Sequence, residues 1–454
     1  MEKSKVLFSE YLVIGVMLFA LFFGAGNLIF PAQLGQLAGE NLWSATIGFL
    51  ITGVGLPLLG VIAIGFSGSS NLQELSSRVH PVYGVLFTSL LYLTIGPFFA
   101  IPRTATVPFE VSISPLLKDM NPRLSLIIFS LIFFAITLWL SLNPSKIVNR
   151  IGKLLSPALI LLLIVLIVMS IVNPIGGTGK AQGEYLASPF AKGFLEGYNT
   201  MDALASLVFA IIVINAIKSL GVKSEQGILK ATFKSGLIAA FFLGIIYIGI
   251  AYMGSITVQK YGLFKNGGPV LSQIASHYLG SFGLIVLAVI MILACLTTSI
   301  GLITSCAEYF HTLMPKFSYK ALAVLFSVVS FIIANFGLAN IIAYSIPVLM
   351  FLYPLTIVLI LLTFLSPIFH HSQIVYVGTI AVTFLISIVD GFVALCKSLE
   401  IEMFDWLKVI VSFYKSVLPF YEQGLGWFIP AIIAIIITTL ISKFFITQEK
   451  TVMQ

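Results

Sequence analysis

The chain has 454 residues, of which 59% are hydrophobic and 9% are charged, and its mean hydropathy is +1.09. An average soluble protein is about half apolar and about a quarter charged, so this chain lacks the charge to cover a soluble globule. The composition also excludes a disordered chain and a disulfide-rich secreted domain. It indicates an all-α polytopic membrane protein.

The apolar segments predict about twelve transmembrane helices. A spanning helix needs roughly 20 apolar residues, and roughly twelve such spans fill a chain of this length. Unbroken apolar runs such as 158–170 argue against a membrane β-barrel, whose strands alternate apolar and polar residues. The predicted spans are 8–37, 42–66, 81–112, 123–143, 147–173, 195–219, 228–256, 281–311, 319–337, 339–365, 373–395 and 426–446.

The spans divide into two sets of five. Residues 8–173 contain helices one to five, residues 195–365 contain helices six to ten, and residues 373–446 contain two additional helices. Because five is odd, the second set begins on the opposite side of the membrane, which is the inverted-repeat plan of secondary transporters. The distribution of Lys and Arg between the loops predicts that both termini are cytoplasmic.

The first and sixth spans carry features of interrupted helices. The first contains Gly24, Gly26, Asn27 and Pro31 at mid-depth, and unwound backbone there needs a ligand or another polar partner, because hydrocarbon provides none. Freed amides suit a carboxylate, and freed carbonyls suit Na⁺ or an ammonium group. The sixth span carries Asp202, an acid that is either functional or an interfacial helix cap.

Two further spans contain polar residues that need an explanation. The eighth has three consecutive hydroxyls, Thr297, Thr298 and Ser299, which either form part of a Na⁺ site or bond to helix backbone. The third has three prolines together with Arg103 and Glu110. We interpret Arg103 and Glu110 as a structural or gating ion pair, and a direct contact with substrate is the alternative.

These segments give the chain a specific resemblance. Residues 23–31 (FGAGNLIFP), 96–110 and 198–203 resemble hallmark segments of the BrnQ family, the bacterial branched-chain amino acid (leucine/isoleucine/valine):cation symporters. The resemblance implies a LeuT-like five-plus-five inverted repeat within the amino acid–polyamine–organocation superfamily. It also implies import of Leu, Ile and Val through the bacterial cytoplasmic (inner) membrane, usually coupled to Na⁺ and in some relatives to protons.

The resemblance also implies site residues beside the two broken helices. The substrate's carboxylate would be held by Gly24, Ala25, Gly26 and Asn27, with Phe23 beside them, and its ammonium group and side chain by Ser206, Leu207, Val208 and Phe209. Na⁺ would be bound by carbonyls of Ala20 and Phe23 and by hydroxyls of Thr298 and either Thr297 or Ser299. Arg103, Glu110 and Asp202 are the candidates for gating or ion pairing.

Other functions fit the sequence less well. A proton-coupled symporter for branched-chain or other neutral amino acids, with Asp202 or Glu110 titrating, is the main alternative. A primary pump needs a P-loop, but the segment 176–180 is followed by Ala181 and preceded by Pro174 where the first glycine belongs. The five histidines fall in or near loops, so we expect no enzyme. Apart from Na⁺ as coupling ion we expect no cofactor, and besides substrate and the lipid bilayer no nucleic acid and no obligate protein partner.

Overall fold

The computed structural model describes residues 7–69, 71–114, 117, 121–142 and 156–452. Within these residues the secondary structure is helical, with no strand. Each predicted span has a helix at its place, although the part of the fifth span over 147–155 lies outside the described residues. The prediction of an all-α membrane protein is therefore confirmed.

The first predicted set contains the helices up to residue 172. Short π-helical turns at Ile51–Gly55, Thr94–Phe98 and Phe109–Ile113 interrupt its second and third spans. The α-helices are α1 (Phe8–Phe22), α2 (Ala25–Ala38), α3 (Leu42–Leu50), α4 (Leu56–Ser67), α5 (Leu72–Ser76), α6 (Pro81–Leu93), α7 (Ala100–Pro108), α8 (Pro122–Ser141) and α9 (Ser156–Val172).

The rest of the chain contains the second set and the trailing helices. Its α-helices are α10 (Glu184–Ala187), α11 (Pro189–Glu196), α12 (Asp202–Ser219), α13 (Glu225–Ser255), α14 (Val258–Tyr261), α15 (Gly268–Leu313), α16 (Tyr319–Ala334), α17 (Leu338–Leu365), α18 (Gln373–Ser398), α19 (Asp405–Val417) and α20 (Phe428–Val452). Across the described residues, eight helical segments are long and apolar enough to cross a membrane, and four shorter apolar helices accompany them.

Several helical stretches lie outside the predicted spans, and the longest are the start of α15 and the whole of α19. α15 begins thirteen residues before the predicted eighth span and turns sharply at Gly280, where φ is +59°. The helix α19 is amphipathic: Leu407 and Val411 are buried, whereas Lys408 and Ser412 are exposed. Each of these two stretches precedes an apolar span, and hydropathy alone does not separate a short helical stretch from a loop.

The chain forms two compact units. The first is built from the described parts of Met1–Ile62 and Tyr92–Ile342, and the second from those of Ala63–Leu91 and Ala343–Gln454. Both interrupted helices lie in the first unit. Because these units group helices by contact rather than by repeat, the division into 8–173, 195–365 and 373–446 stays a prediction.

Within the first unit, α2 and α13 pack with their backbones in contact. A Cβ on Gly35 would lie 1.9 Å from the carbonyl oxygen of Ala251, and one on Gly254 would lie 2.2 Å from that of Ala32. Small residues allow membrane helices to approach this closely. The contact fixes the second half of the first span against the seventh span.

Candidate functional site

The first span is interrupted at Phe23 and Gly24. α1 ends at Phe22 and α2 begins at Ala25, while Gly24 between them has extended dihedral angles. The Oδ1 atom of Asn27 accepts a hydrogen bond from the Gly24 amide at 3.0 Å, so this side chain caps the new helix N-terminus. The predicted break is confirmed.

The sixth span is interrupted at Met201. A 3₁₀ turn over Gly197–Thr200 follows α11, and α12 begins at Asp202. Met201 between them is left-handed, with φ of 63°, a conformation that costs a residue other than glycine about 1–3 kcal/mol. This break is also confirmed, although no glycine pair marks it in the sequence.

A buried hydrogen-bond network joins the two breaks. The side-chain amide of Asn27 donates to Oδ2 of Asp202 at 2.5 Å and to the Tyr247 hydroxyl. The Tyr247 hydroxyl in turn donates to the same Oδ2 atom at 2.7 Å. All three residues are at most 2% exposed. The network therefore connects α2, α12 and α13 at the level of both interruptions.

A cavity lies between the breaks. The space between the lining atoms is about 400 Å³, including the part open to solvent. Its apolar wall consists of Leu21, Phe22, Ile95, Met201, Phe209 and Leu302. Its polar groups come from Asn27, Arg103, Thr104, Thr200, Asp202 and Thr298, and small residues at Gly24, Ala25, Gly26, Ala100 and Ala205 complete the lining.

Some of the predicted substrate residues line this cavity and others do not. Residues 24–27 of the first span line it, as does Phe209 of the sixth. Phe23 is fully buried and its ring stacks on Phe19 instead. Residues 206–208 are buried outside the lining, and the Ser206 hydroxyl donates to the Ala203 carbonyl at 2.7 Å.

Helix geometry explains this division. Asp202, Ala205 and Phe209 are three and four residues apart and therefore share one face of α12. Residues 206–208 point to other faces, so the sixth-span contribution begins earlier than the resemblance implied. Which of these residues contact substrate stays a prediction.

An oxygen cluster connects the first and eighth spans. The Thr297 hydroxyl lies 2.9 Å from the carbonyl oxygen of Ala20 and 2.8 Å from that of Ala294. The Thr298 hydroxyl lies 3.4 Å from the same Ala20 oxygen. We call these four oxygen atoms the oxygen cluster. The Ser299 hydroxyl is buried and has no hydrogen-bond partner among the described residues, so it lies outside this cluster, and the choice between Thr297 and Ser299 as a Na⁺ ligand stays a prediction.

The helix break lies directly against this cluster. Phe23, the first residue after α1, has ψ of 85°, so its carbonyl no longer follows the helix axis. A Cβ added to Gly24 would lie 2.9 Å from the Thr298 hydroxyl oxygen. Thr298 thus belongs to the oxygen cluster and also lines the cavity. Hydroxyl and carbonyl oxygens are the ligands that hard cations prefer.

Arg103 and Glu110 have different partners. Arg103 is 2% exposed, donates to the Asn199 carbonyl at 3.0 Å, and its guanidinium lies 5.7 Å from the centre of the Phe30 ring. Glu110 accepts a hydrogen bond from the Leu338 amide at 3.0 Å. Arg103 therefore connects the third span to both broken helices, and a gating role for either residue stays a prediction.

Several site residues were missed in the sequence, among them Tyr247, the Ala294 carbonyl and the cavity residues Ala205 and Leu302. Tyr247 is one of several aromatic residues in an apolar helix, and nothing in its neighbourhood distinguishes it from a core residue. The Ala294 carbonyl precedes Thr297 by three residues, and backbone bonding of threonine within helices could have indicated it. Both depend on which helix faces the site.

Solved transporters share this fold. Mhp1, a nucleobase-cation-symport-1 family transporter in a closed conformation with bromovinylhydantoin bound, is similar with a TM-score of 0.58 and 15% identity, over 86% of this chain and 91% of Mhp1. MhsT in complex with L-phenylalanine has a TM-score of 0.56 and 17% identity, over 94% and 98%. Two interrupted helices around a cavity in this fold define a LeuT-type membrane protein.

Sequence relatives then identify the family. The profile described as "Branched-chain amino acid transport protein" matches residues 8–445. The branched-chain amino acid permease BrnQ of Bacillus subtilis (strain 168) is 48% identical over 430 residues, 95% of this chain and 96% of that protein. BraB, a second such permease of that organism, is 47% identical over 97% of both chains. The chain belongs to this family, as predicted, and is a transporter rather than an enzyme.

Proposed function

We propose that this protein imports Leu, Ile and Val across the bacterial cytoplasmic membrane by symport with Na⁺, with both termini in the cytoplasm. The observation that carries the coupling is the position of Thr298. Its hydroxyl belongs to the oxygen cluster, and its side chain also lines the cavity. A cation at the cluster would therefore stabilise one wall of the substrate site.

The cavity suits the charged ends of an amino acid. The amides of Ala25 and Gly26 stand at the N-terminus of α2, where helix amides lack partners within the helix and favour an anion. The Gly24 amide is already bonded to Asn27. A substrate carboxylate at this end of the cavity would complete the hydrogen bonds of the interrupted helix.

The apolar wall suits a branched aliphatic side chain. Phe22 and Phe209 have ring centroids 5.9 Å apart and line the cavity together with Leu302. An apolar pocket discriminates by only about 1–3 kcal/mol per methylene. Overlapping acceptance of Leu, Ile and Val follows, and the named permeases that resemble this chain support the same substrate class.

Substrate and ion are tested together in proteoliposomes. We expect counterflow of labelled leucine to be inhibited by unlabelled isoleucine and valine, and uptake to fall when choline replaces Na⁺ at fixed pH. Replacing Thr298 by Ala should raise the Na⁺ concentration for half-maximal uptake. The matched control is Ser305→Ala, because that hydroxyl is buried on the same helix and does not line the cavity. Equal Na⁺ dependence of the two variants would exclude the oxygen cluster as the coupling site.

Proton coupling is the second candidate function, and the buried Asp202 supports it. This carboxylate lines the cavity and is 2% exposed, so a proton taken up there would reach the substrate site. Glu110, which accepts a hydrogen bond from the Leu338 amide, is the other acid that the sequence suggests for proton coupling. Leucine uptake that is unchanged in choline and rises with an inward proton gradient would favour this candidate over Na⁺ symport.

A further inference from the structure

Asp202 is a buried acidic side chain whose direct partners are neutral. Among the described residues, its carboxyl group accepts hydrogen bonds from the amide of Asn27 and the hydroxyl of Tyr247, and no Lys or Arg forms a salt bridge with it. Burying an ion costs several kcal/mol unless a countercharge compensates. The carboxylate lines the cavity, so a cationic ligand can supply that charge.

Both hydrogen bonds reach the same carboxylate oxygen. Asn27 and Tyr247 donate to Oδ2 of Asp202, so both of these hydrogen bonds use one oxygen of the carboxyl group. The backbone amide of Asp202 lies 3.3 Å from the Thr200 hydroxyl. Protein groups therefore hold Oδ2 and the backbone of Asp202 in place before any ligand binds, and such preorganisation favours binding.

The carboxylate also stands beside the amides proposed to hold the substrate's carboxylate. Through its two amide atoms, Asn27 bonds to the Gly24 backbone and to Asp202. The Gly24 amide at the start of α2 and the Asp202 carboxyl group are thus separated only by the side-chain amide of Asn27. In an α-amino acid the carboxylate and the ammonium group are attached to the same carbon atom, so the two sites have the required proximity.

We propose that Asp202 binds the α-ammonium group of the substrate by a charge-assisted hydrogen bond. This inference rests on the proposed function. It differs from the expectation of the sequence analysis, in which residues 206–209 would surround the ammonium group. It also gives the single acidic side chain of the cavity lining a role in selecting zwitterions over fatty acids of the same shape.

The test is the variant Asp202→Asn in the full chain, purified and reconstituted in nanodiscs. Because both donors converge on one oxygen, the Asn side chain can keep both hydrogen bonds with its own oxygen atom. Its amino group would then replace Oδ1 and face the ammonium group. The probes are L-leucine and 4-methylpentanoate, which has the same carboxylate and side chain without the ammonium group, both at saturating Na⁺.

We expect the dissociation constant of leucine to rise about 10- to 100-fold in Asp202→Asn, as for loss of a charged hydrogen bond. The dissociation constant of 4-methylpentanoate should stay unchanged or fall, since the analogue has no cation to lose a partner. The matched control, Tyr247→Phe, removes one donor and keeps the charge, so its effect on leucine should be several-fold smaller.

Three results would overturn the inference. Equal weakening of both probes would show that Asp202 acts through the fold, and unchanged leucine binding would show that it does not touch the ammonium group. A variant that binds leucine normally but needs more Na⁺ would assign Asp202 to the coupling ion. A wild-type protein that binds none of Leu, Ile and Val would instead contradict the proposed function itself.

Discussion

Replacing Gly24 by Ala should lower the affinity of the transporter for Na⁺, because the new methyl group would collide with Thr298. The new Cβ would lie 2.9 Å from Oγ1 and 3.1 Å from Cγ2 of Thr298, and ordinary contacts begin at 3.4 Å. Thr298 must therefore move by about 0.5 Å, and overpacking of this kind typically costs about 1–3 kcal/mol. Gly24 itself has extended backbone angles, so the cost is a matter of packing and not of backbone conformation.

The displacement of Thr298 acts on the oxygen cluster. Its hydroxyl is 3.4 Å from the Ala20 carbonyl, so a shift away from the new methyl group separates the first span from the eighth. If the whole cost falls on the Na⁺-bound state, the half-saturating Na⁺ concentration rises about 5- to 150-fold. The assay is leucine uptake into proteoliposomes over a series of Na⁺ concentrations at constant ionic strength.

A second substitution makes this prediction sharper. Thr298→Ser removes the 3.1 Å contact with Cγ2 but keeps the 2.9 Å contact with the hydroxyl oxygen, so the double variant with Gly24→Ala should recover part of the lost Na⁺ affinity. The non-additivity of the two changes measures their contact directly. Unaltered Na⁺ dependence in Gly24→Ala, or strictly additive effects in the double variant, would refute the reasoning.

Three other variants test the fold around the site. Gly254→Ala should destabilise the protein by at least about 1–3 kcal/mol, since its Cβ would meet the Ala32 carbonyl at 2.2 Å; Gly244→Ala in the same helix has open space and should leave the melting temperature equal or higher. Asn27→Ala removes the cap of α2 and a buried donor to Asp202, and should cost at least about 1–3 kcal/mol, seen as a lower melting temperature in detergent. Arg103→Lys should reduce leucine uptake about tenfold, and full activity would show that its bond to Asn199 is dispensable.

The first half of the site could be predicted because its signal is local. Two glycines, an asparagine and a proline within eight residues of an apolar span have few structural explanations other than an interrupted helix. The Ala20 carbonyl and the Thr297 and Thr298 hydroxyls were likewise expected together, and the structure brings them into contact. Such features follow from what hydrocarbon excludes.

The rest of the site depends on distant pairs. Asn27 meets Asp202 across 175 residues and Tyr247 across 220, and no local pattern specifies which helices will adjoin. Met201 takes a left-handed conformation that a non-glycine residue adopts only when tertiary contacts hold it there. Of the predicted sixth-span residues 206–209, Phe209 lines the cavity, together with Asp202 and Ala205, and the substrate contacts themselves stay a prediction.

Coupling of Na⁺ to branched-chain amino acid import is the central claim, and one measurement tests it most directly. Proteoliposomes holding the full chain are given an inward Na⁺ gradient at equal pH on both sides, and labelled leucine is followed over time. Transient accumulation above the external concentration, abolished when choline replaces Na⁺, is the result we predict. Accumulation that ignores Na⁺ and follows a pH gradient, or mere equilibration under both gradients, would contradict it.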